Sequence, residues 1–273
     1  MSFSAKASEP IEWCFFQQRH IPKDMVCIIK SLCLIAYNVR AHSMQLRQSF
    51  ADDTDFIISI NKWEKSELQN ASILARWIHL ADPTFDFGPT FKRFSTLCHL
   101  PSSKITPSLA LLARCVYAMN LQCIYRFLAS KTREPVLKAL CLESAALQKK
   151  HYHLFYRFLK RYLTRYPVSL WRRIRHTAYH LKLPTSQEMT CAYFAANTMP
   201  HAIYHPHFYE KAYLARLWPA CPPRIIRYLV VALVQTACVR KQNWWTTPLE
   251  KIAFWIMQRR NKTLKRSNKA LIS

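Results

Sequence analysis

Apolar residues recur along most of the chain at spacings of three and four, the interval at which helical positions share a face. Residues 23–49 carry a near-continuous apolar pattern, with Met25, Val26, Ile28, Ile29, Leu32, Leu34 and Ile35, and predict one long helix. The polar segment Ala51–Asp55 interrupts it with aspartates suited to an N-cap. The pattern resumes over 56–81 through Ile60, Trp63, Glu67, Leu74, Trp77 and Ile78, and stops at Asp82-Pro83. Residues 83–106 read as loop and short helix around Gly88 and Pro101. A third long helix is predicted over 107–130, with Pro107 in its first turn. A fourth is predicted over 134–164, opened by Glu134-Pro135 and closed before Pro167. A strongly basic helix follows over 168–182, then a looser region with Pro184, Pro200 and Pro206. Helices return at 207–217, 223–240 and 247–262, and the tail from Arg259 is basic.

These elements predict an all-α protein, one helical domain over 1–273. Its four-helix core covers 25–164, additional helices cover 165–258, and the basic tail covers 259–273. Long antiparallel helices with short connections form bundles. Composition agrees, because the chain has a single glycine, Gly88. Average usage would give roughly 19. Phosphate-binding loops and dinucleotide-binding turns need several glycines together, and hairpin-rich all-β folds need them at positive φ. The 51% hydrophobic content argues against disorder.

The most apolar run, Tyr228–Cys238, falls short of the roughly 18 residues that cross a bilayer. The N-terminus, with Lys6, Glu9 and Glu12, lacks the apolar stretch of a signal peptide. The expectation is a cytoplasmic protein without a membrane span. Ten cysteines are scattered, none in a CxxC pair, and read as reduced, buried small hydrophobes. The net charge of +25 implies an acidic partner or surface: nucleic acid, anionic lipid or an acidic carrier protein.

Several segments resemble one family. His151-Tyr-His-Leu-Phe-Tyr-Arg157 and the aromatic-rich run to Pro167 are similar to the fourth core helix of soluble acyl-[acyl-carrier-protein] desaturases, which are ferritin-like di-iron enzymes. Trp63-Glu-Lys-Ser-Glu67-Leu-Gln-Asn70 and the following run to Trp77 resemble their second helix, and Tyr117–Gln122 their third. The stretch Leu34–Ala41 takes the place of the first. Met199–Tyr204 and Trp244-Trp245 fall where the family has further short motifs. The resemblance implies a ferritin-like antiparallel four-helix core. It also implies O2-dependent desaturation of an acyl chain held on an acidic acyl carrier protein, with electrons from a ferredoxin. A homodimer, or a dimer with an active paralogue, is a further implied partner.

Carried over by position, the resemblance implies six iron-ligand places: Tyr37, Glu67, Asn70, Gln122, Gln148 and His151. Of these only Glu67 and His151 have the family's ligand types. Two ferrous ions bring four positive charges into the core, and a single carboxylate leaves most of that charge uncompensated, at high cost. Glu64, Glu143 and His153 offer no replacement set, since Glu143 and His153 lie on other faces of their helix. The reading is therefore a weakened or inactive desaturase-like protein of fatty acid metabolism with a degenerate site. Two irons per chain are expected only if the site still functions. In the metal-free case the amides bond to one another, to Glu67 and to His151.

The spacing His201-x-x-x-His205-x-His207 could suit a metal, but it lies in a Pro-broken segment and reads as polar loop histidines. No Gly-x-Ser-x-Gly elbow is present, so no hydrolase motif stands behind the chain. Lys149, Lys150, Arg157, Lys160, Arg161, Arg165, Arg172, Arg173 and Arg175 are interleaved with Tyr, Phe and Trp. That pattern suits a face for docking an acidic carrier protein, which the resemblance favours. It also suits a solvated basic surface and, less well, a nucleic-acid groove. The alternative function is a basic helical binding module for nucleic acid or a partner protein.

Overall fold

The computed structural model describes residues 11–98, 106–180 and 187–217, with single positions 228, 231, 232, 234, 236, 237, 251 and 255. The described chain is all-α, with no strand among these residues. Its helices are α1 (Lys23–Tyr37), α2 (Val39–Ser49), α3 (Thr54–Ala81), α4 (Phe87–Leu97), α5 (Pro107–Lys131), α6 (Pro135–Arg165), α7 (Leu170–His180), α8 (Gln187–Asn197) and α9 (Pro206–Leu217).

Local chemistry fixes the helix ends. Asp53 caps α3, its Oδ1 accepting from the Phe56 amide at 3.0 Å. Glu134 caps α6 by accepting from the Val136 and Leu137 amides at 3.1 and 2.6 Å. Pro107 and Pro135 occupy first turns, where a missing N–H costs nothing. The Glu134 carboxylate is fully buried and also accepts from Trp77 Nε1 at 3.1 Å and from the Gln17 amide at 3.3 Å. One side chain thus ties the α6 start to α3 and to the N-terminal segment.

Two apolar clusters fill the interior. One draws Met25–Ala36 of α1, the C-terminal part of α3 from Ala71, the C-terminal part of α5 from Leu121, and the N-terminal part of α6 to Ala145. The other draws Val39–Phe50, the N-terminal part of α3 to Trp63, Leu109–Cys115 of α5 and Phe155–Tyr162 of α6. Cluster membership gives the helix directions. α1–α2 and α6 run one way, and α3 and α5 run the other. The connection between the parallel α3 and α5 is therefore a long crossover, and it contains α4.

Two expectations are corrected, and a third holds. The predicted helix over 23–49 is broken at Asn38, which ends α1 and starts α2. The region after Pro184 is not loose: α8 packs along α1 with its residues Glu188–Ala196 buried. Three prolines around it hid an eleven-residue apolar helix. Residues 83–106 hold α4, whose Arg93 donates to the carbonyls of Phe194, Ala195, Thr198 and Met199 at the α8 C-terminus. A cation is favourable there. Gly88 lies in the first turn of α4, not in a left-handed turn.

Contrary to the expectation above, Lys23–Ser49 is long and apolar enough, by length and composition alone, to cross a bilayer. Its most apolar window is 67% buried inside the fold, as in a core helix. The predicted helix 223–240 is helical at the six described positions within it, and Tyr152 Oη lies 2.9 Å from Thr236 Oγ1. Most of the predicted helix 247–262, the tail 259–273 and Trp244-Trp245 lie outside the described residues. Cys33, Cys115, Cys123, Cys141 and Cys191 are buried, and burial pushes the Cys33 thiol up to about 12.

Candidate functional site

Between the two apolar clusters each long helix contributes buried polar residues, and these form a layer across the interior. From α3 come Glu67 and Asn70, from α5 Gln122, and from α6 Ser144, Gln148 and His151. Glu67 Oε1 accepts from Gln148 Nε2 at 2.6 Å. His151 Nδ1 lies 2.9 Å from the same oxygen, yet outside hydrogen-bonding alignment, so the contact is electrostatic only. The other ring nitrogen, Nε2, is 2.9 Å from Ser66 Oγ. Trp63 meets the His151 ring edge-on at 6.3 Å. Ser144 Oγ donates to Asn70 Oδ1 at 2.7 Å, beside the buried Tyr125.

Five of the six positions singled out in the sequence are buried in this layer. Glu67, Gln148 and His151 meet directly, while Asn70 pairs with Ser144 rather than with Glu67. Gln122 is buried with its side-chain oxygen unpaired. Tyr37 is the exception. Half-buried at the end of α1, its ring packs edge-on against Phe87 and Phe91 of α4, at 5.1 and 4.9 Å. The position facing inward from α1 is Cys33, whose thiol is 3.4 Å from the Ala71 carbonyl.

Two irons do not fit these residues. The layer offers one carboxylate, and its oxygen is already taken by an amide hydrogen bond. Among the described residues no group of three or more His, Cys, Asp or Glu is placed to hold a metal. Glu64 turns away to Ser43 Oγ, at 2.5 Å, and to Arg47. Glu143 is half-buried and outside the layer, and His153 is exposed. His201, His205 and His207 are exposed, and His207 lies 3.9 Å from Glu210.

A second polar group went unseen in the sequence. Glu188, at the start of α8, is buried and accepts from Asn38 Nδ2 at 2.8 Å. His42 Nε2 is 2.7 Å from its Oε1, and Tyr117 Oη donates to Oε2 at 3.4 Å. Arg114 Nη2 lies 2.8 Å from His42 Nδ1. Guanidinium nitrogen only donates, so Nδ1 must accept, and His42 is the neutral tautomer giving its Nε2 proton to Glu188. Burial, then the Arg114 charge, hold the His42 pKa below its ordinary value. Burial alone would raise Glu188, but His42, Asn38 and Arg114 outweigh it and hold the carboxyl below its usual range. The one available signal is Glu188 itself, an acid heading an apolar run between Pro184 and Pro200.

The surface tells a simpler story. From 144 to 187 there is no Asp or Glu, while ten Lys and Arg occur. Lys149, Lys150, Arg157, Lys160 and Arg165 are exposed along α6, and Arg172 and Arg175 along α7. None of the seven is in an ion pair among the described residues. Two members of the predicted basic face do not belong to it. Arg161 is committed to Asp53 at the α3 cap, with Asp55 at 3.6 Å, and Arg173 is half-buried. Aromatic rings line the same stretch: Lys160 lies over Tyr156 at 4.8 Å, and Arg165 over Tyr166 at 5.4 Å.

No protein-family model matches this chain, and a search of curated proteins finds no match either.

Proposed function

We propose that this chain is a non-catalytic docking protein, whose polar interior is structural and whose basic α6–α7 surface takes an acidic or polyanionic partner. The acid-free run from 144 to 187, with seven exposed cations in no ion pair among the described residues, carries this reading. Acids are scarce in the chain, 15 against 40 Lys and Arg. Three of them, Glu67, Glu134 and Glu188, are spent inside the fold. A merely solvated face would intersperse both signs; this one excludes one of them.

A second reading keeps the resemblance to acyl-carrier-protein desaturases, with an acidic acyl carrier protein as the partner. The long crossover between α3 and α5 supports it, because ferritin-like bundles carry one such connection. So does the Glu67–His151 pair at the family's places. The chain would then be a degenerate member that binds a carrier, or pairs with a second copy or an active paralogue.

Elution from heparin, a generic polyanion, tests the surface reading. The variant K149E/K150E/R157E/K160E should elute at clearly lower salt than the parent. The same charge change at exposed Lys62, Lys65, Lys131 and Lys138 should shift elution much less. Equal shifts from the two sets would contradict a localised docking surface.

A further inference from the structure

The helix α7 carries more than charge. Trp171 is 78% exposed and Tyr179 is 68% exposed. With Arg175 between them they fall at i, i+4 and i+8, so all three lie along one stripe of the helix. Helical rise sets the Cα atoms of Trp171 and Tyr179 about 12 Å apart along the axis, with that of Arg175 midway. The opposite side is fastened to α5: Thr177 is buried, His176 Nε2 is 3.1 Å from the Leu109 carbonyl, and Asn120 donates to the His180 carbonyl at 3.4 Å. The stripe therefore faces outward on a fixed helix. At the α6–α7 turn, Tyr166 is 42% exposed beneath Arg165, so a third ring and cation stand at the same corner.

The geometry points to a single-stranded nucleic acid as the occupant of this corner, its bases stacking on Trp171 and Tyr179 and its phosphates meeting Arg165, Arg172 and Arg175. The inference rests on the docking reading above and narrows it to one partner class. Sequence-tolerant single-strand binding uses this combination, flat aromatic faces for bases and cations that track the backbone. An anionic membrane would call for a continuous apolar outward face of Trp, Phe or Leu, with the cations on a separate side. Here Leu170 and Ile174 are half-buried, and the outward residues are Trp171, Arg172, Arg175, Ala178 and Tyr179. An acidic protein would be met by the charges but leaves the open stacking faces without a role.

Fluorescence anisotropy of labelled poly(U) with the full chain, beside heparin elution, tests this. Removing each ring, Trp171→Ala or Tyr179→Ala, should lower poly(U) affinity at least about fivefold and leave heparin elution unchanged. Trp171→Phe should restore most of the loss. Both rings are exposed, so circular dichroism and melting temperature should match the parent. Three results would overturn the inference while leaving polyanion docking intact: unchanged poly(U) affinity in both alanine variants, duplex DNA bound as tightly as poly(U), or binding of an acidic acyl carrier protein with none of poly(U). Failure to bind either heparin or poly(U) would overturn both readings.

Discussion

Glu67 on α3 and Gln148 on α6 share a 2.6 Å hydrogen bond at places where the resemblance implies two iron-binding carboxylates. The amide donates where a second carboxylate would repel. Gln148→Glu should therefore set two buried acids within hydrogen-bonding distance, and such a pair cannot both ionise. The variant should lose about 3 kcal/mol at pH 7 and regain part of it as the pH is lowered toward 5. Urea midpoints at the two pH values check this; a variant as stable as the parent at pH 7 would count against the structural role of the pair.

The Glu188–His42–Arg114 group joins α8 to α2 and α5 through buried charge. Glu188→Ala removes the carboxylate of the group and leaves the buried Arg114 charge uncompensated. The expected loss is about 3–5 kcal/mol, the range for stranding a buried charge. Replacing Glu188 and Arg114 together by apolar residues of similar volume should cost less than Glu188→Ala alone. Chemical denaturation of the single and double variants decides it.

Glu134 does three jobs with one buried carboxylate. Glu134→Ala removes the α6 cap and strands the Trp77 indole N–H. A lost cap costs about 1 kcal/mol, and an unpaired buried donor about 1–3 kcal/mol more. Glu134→Asp should recover less than half of this, because the shorter side chain cannot reach both the helix amides and Trp77. Thermal unfolding of the two variants, followed by circular dichroism, is the check.

Acid should weaken the fold in two stages. Burial lowers the pKa of His42 and His176 from 6.5, and lowers His180 to about 4. Between those lowered values and 6.5 the unfolded chain binds more protons than the folded one, so stability falls as pH is lowered through that range. Glu188, held below its ordinary 4.5, adds stability above that value that is lost only at lower pH. The urea midpoint should therefore be level above about pH 6.5 and decline before any carboxylate titrates. His180→Asn should flatten the decline. A midpoint unchanged from pH 7 to pH 5 would contradict the burial of these rings.

The long helices were legible because their cause is local. Pro107, the aspartates after Ala51 and Glu134-Pro135 mark helix starts by chemistry visible within a few residues. So was the inward face of α3, since Glu67 and Asn70 share the period of Trp63 and Leu74. What stayed hidden depends on tertiary partners. Nothing near Glu188 in the chain announces His42 or Arg114, which arrive from α2 and α5. Tyr37 has the right spacing to point inward, but the α4 phenylalanines draw its ring outward. Arg161 counted as surface charge until Asp53, far away in sequence, was seen to claim it.

The most direct test of the central claim, that this protein works through its surface and not through an interior metal centre, is iron quantitation after anaerobic loading, with the absorption spectrum taken on exposure to air. One buried carboxylate cannot neutralise two ferrous ions. The expected result is far less than one iron per chain and no iron–oxo absorption, with heparin binding unaffected by the treatment. About two irons per chain with an oxo-bridged spectrum would contradict the account and return the chemistry to the interior.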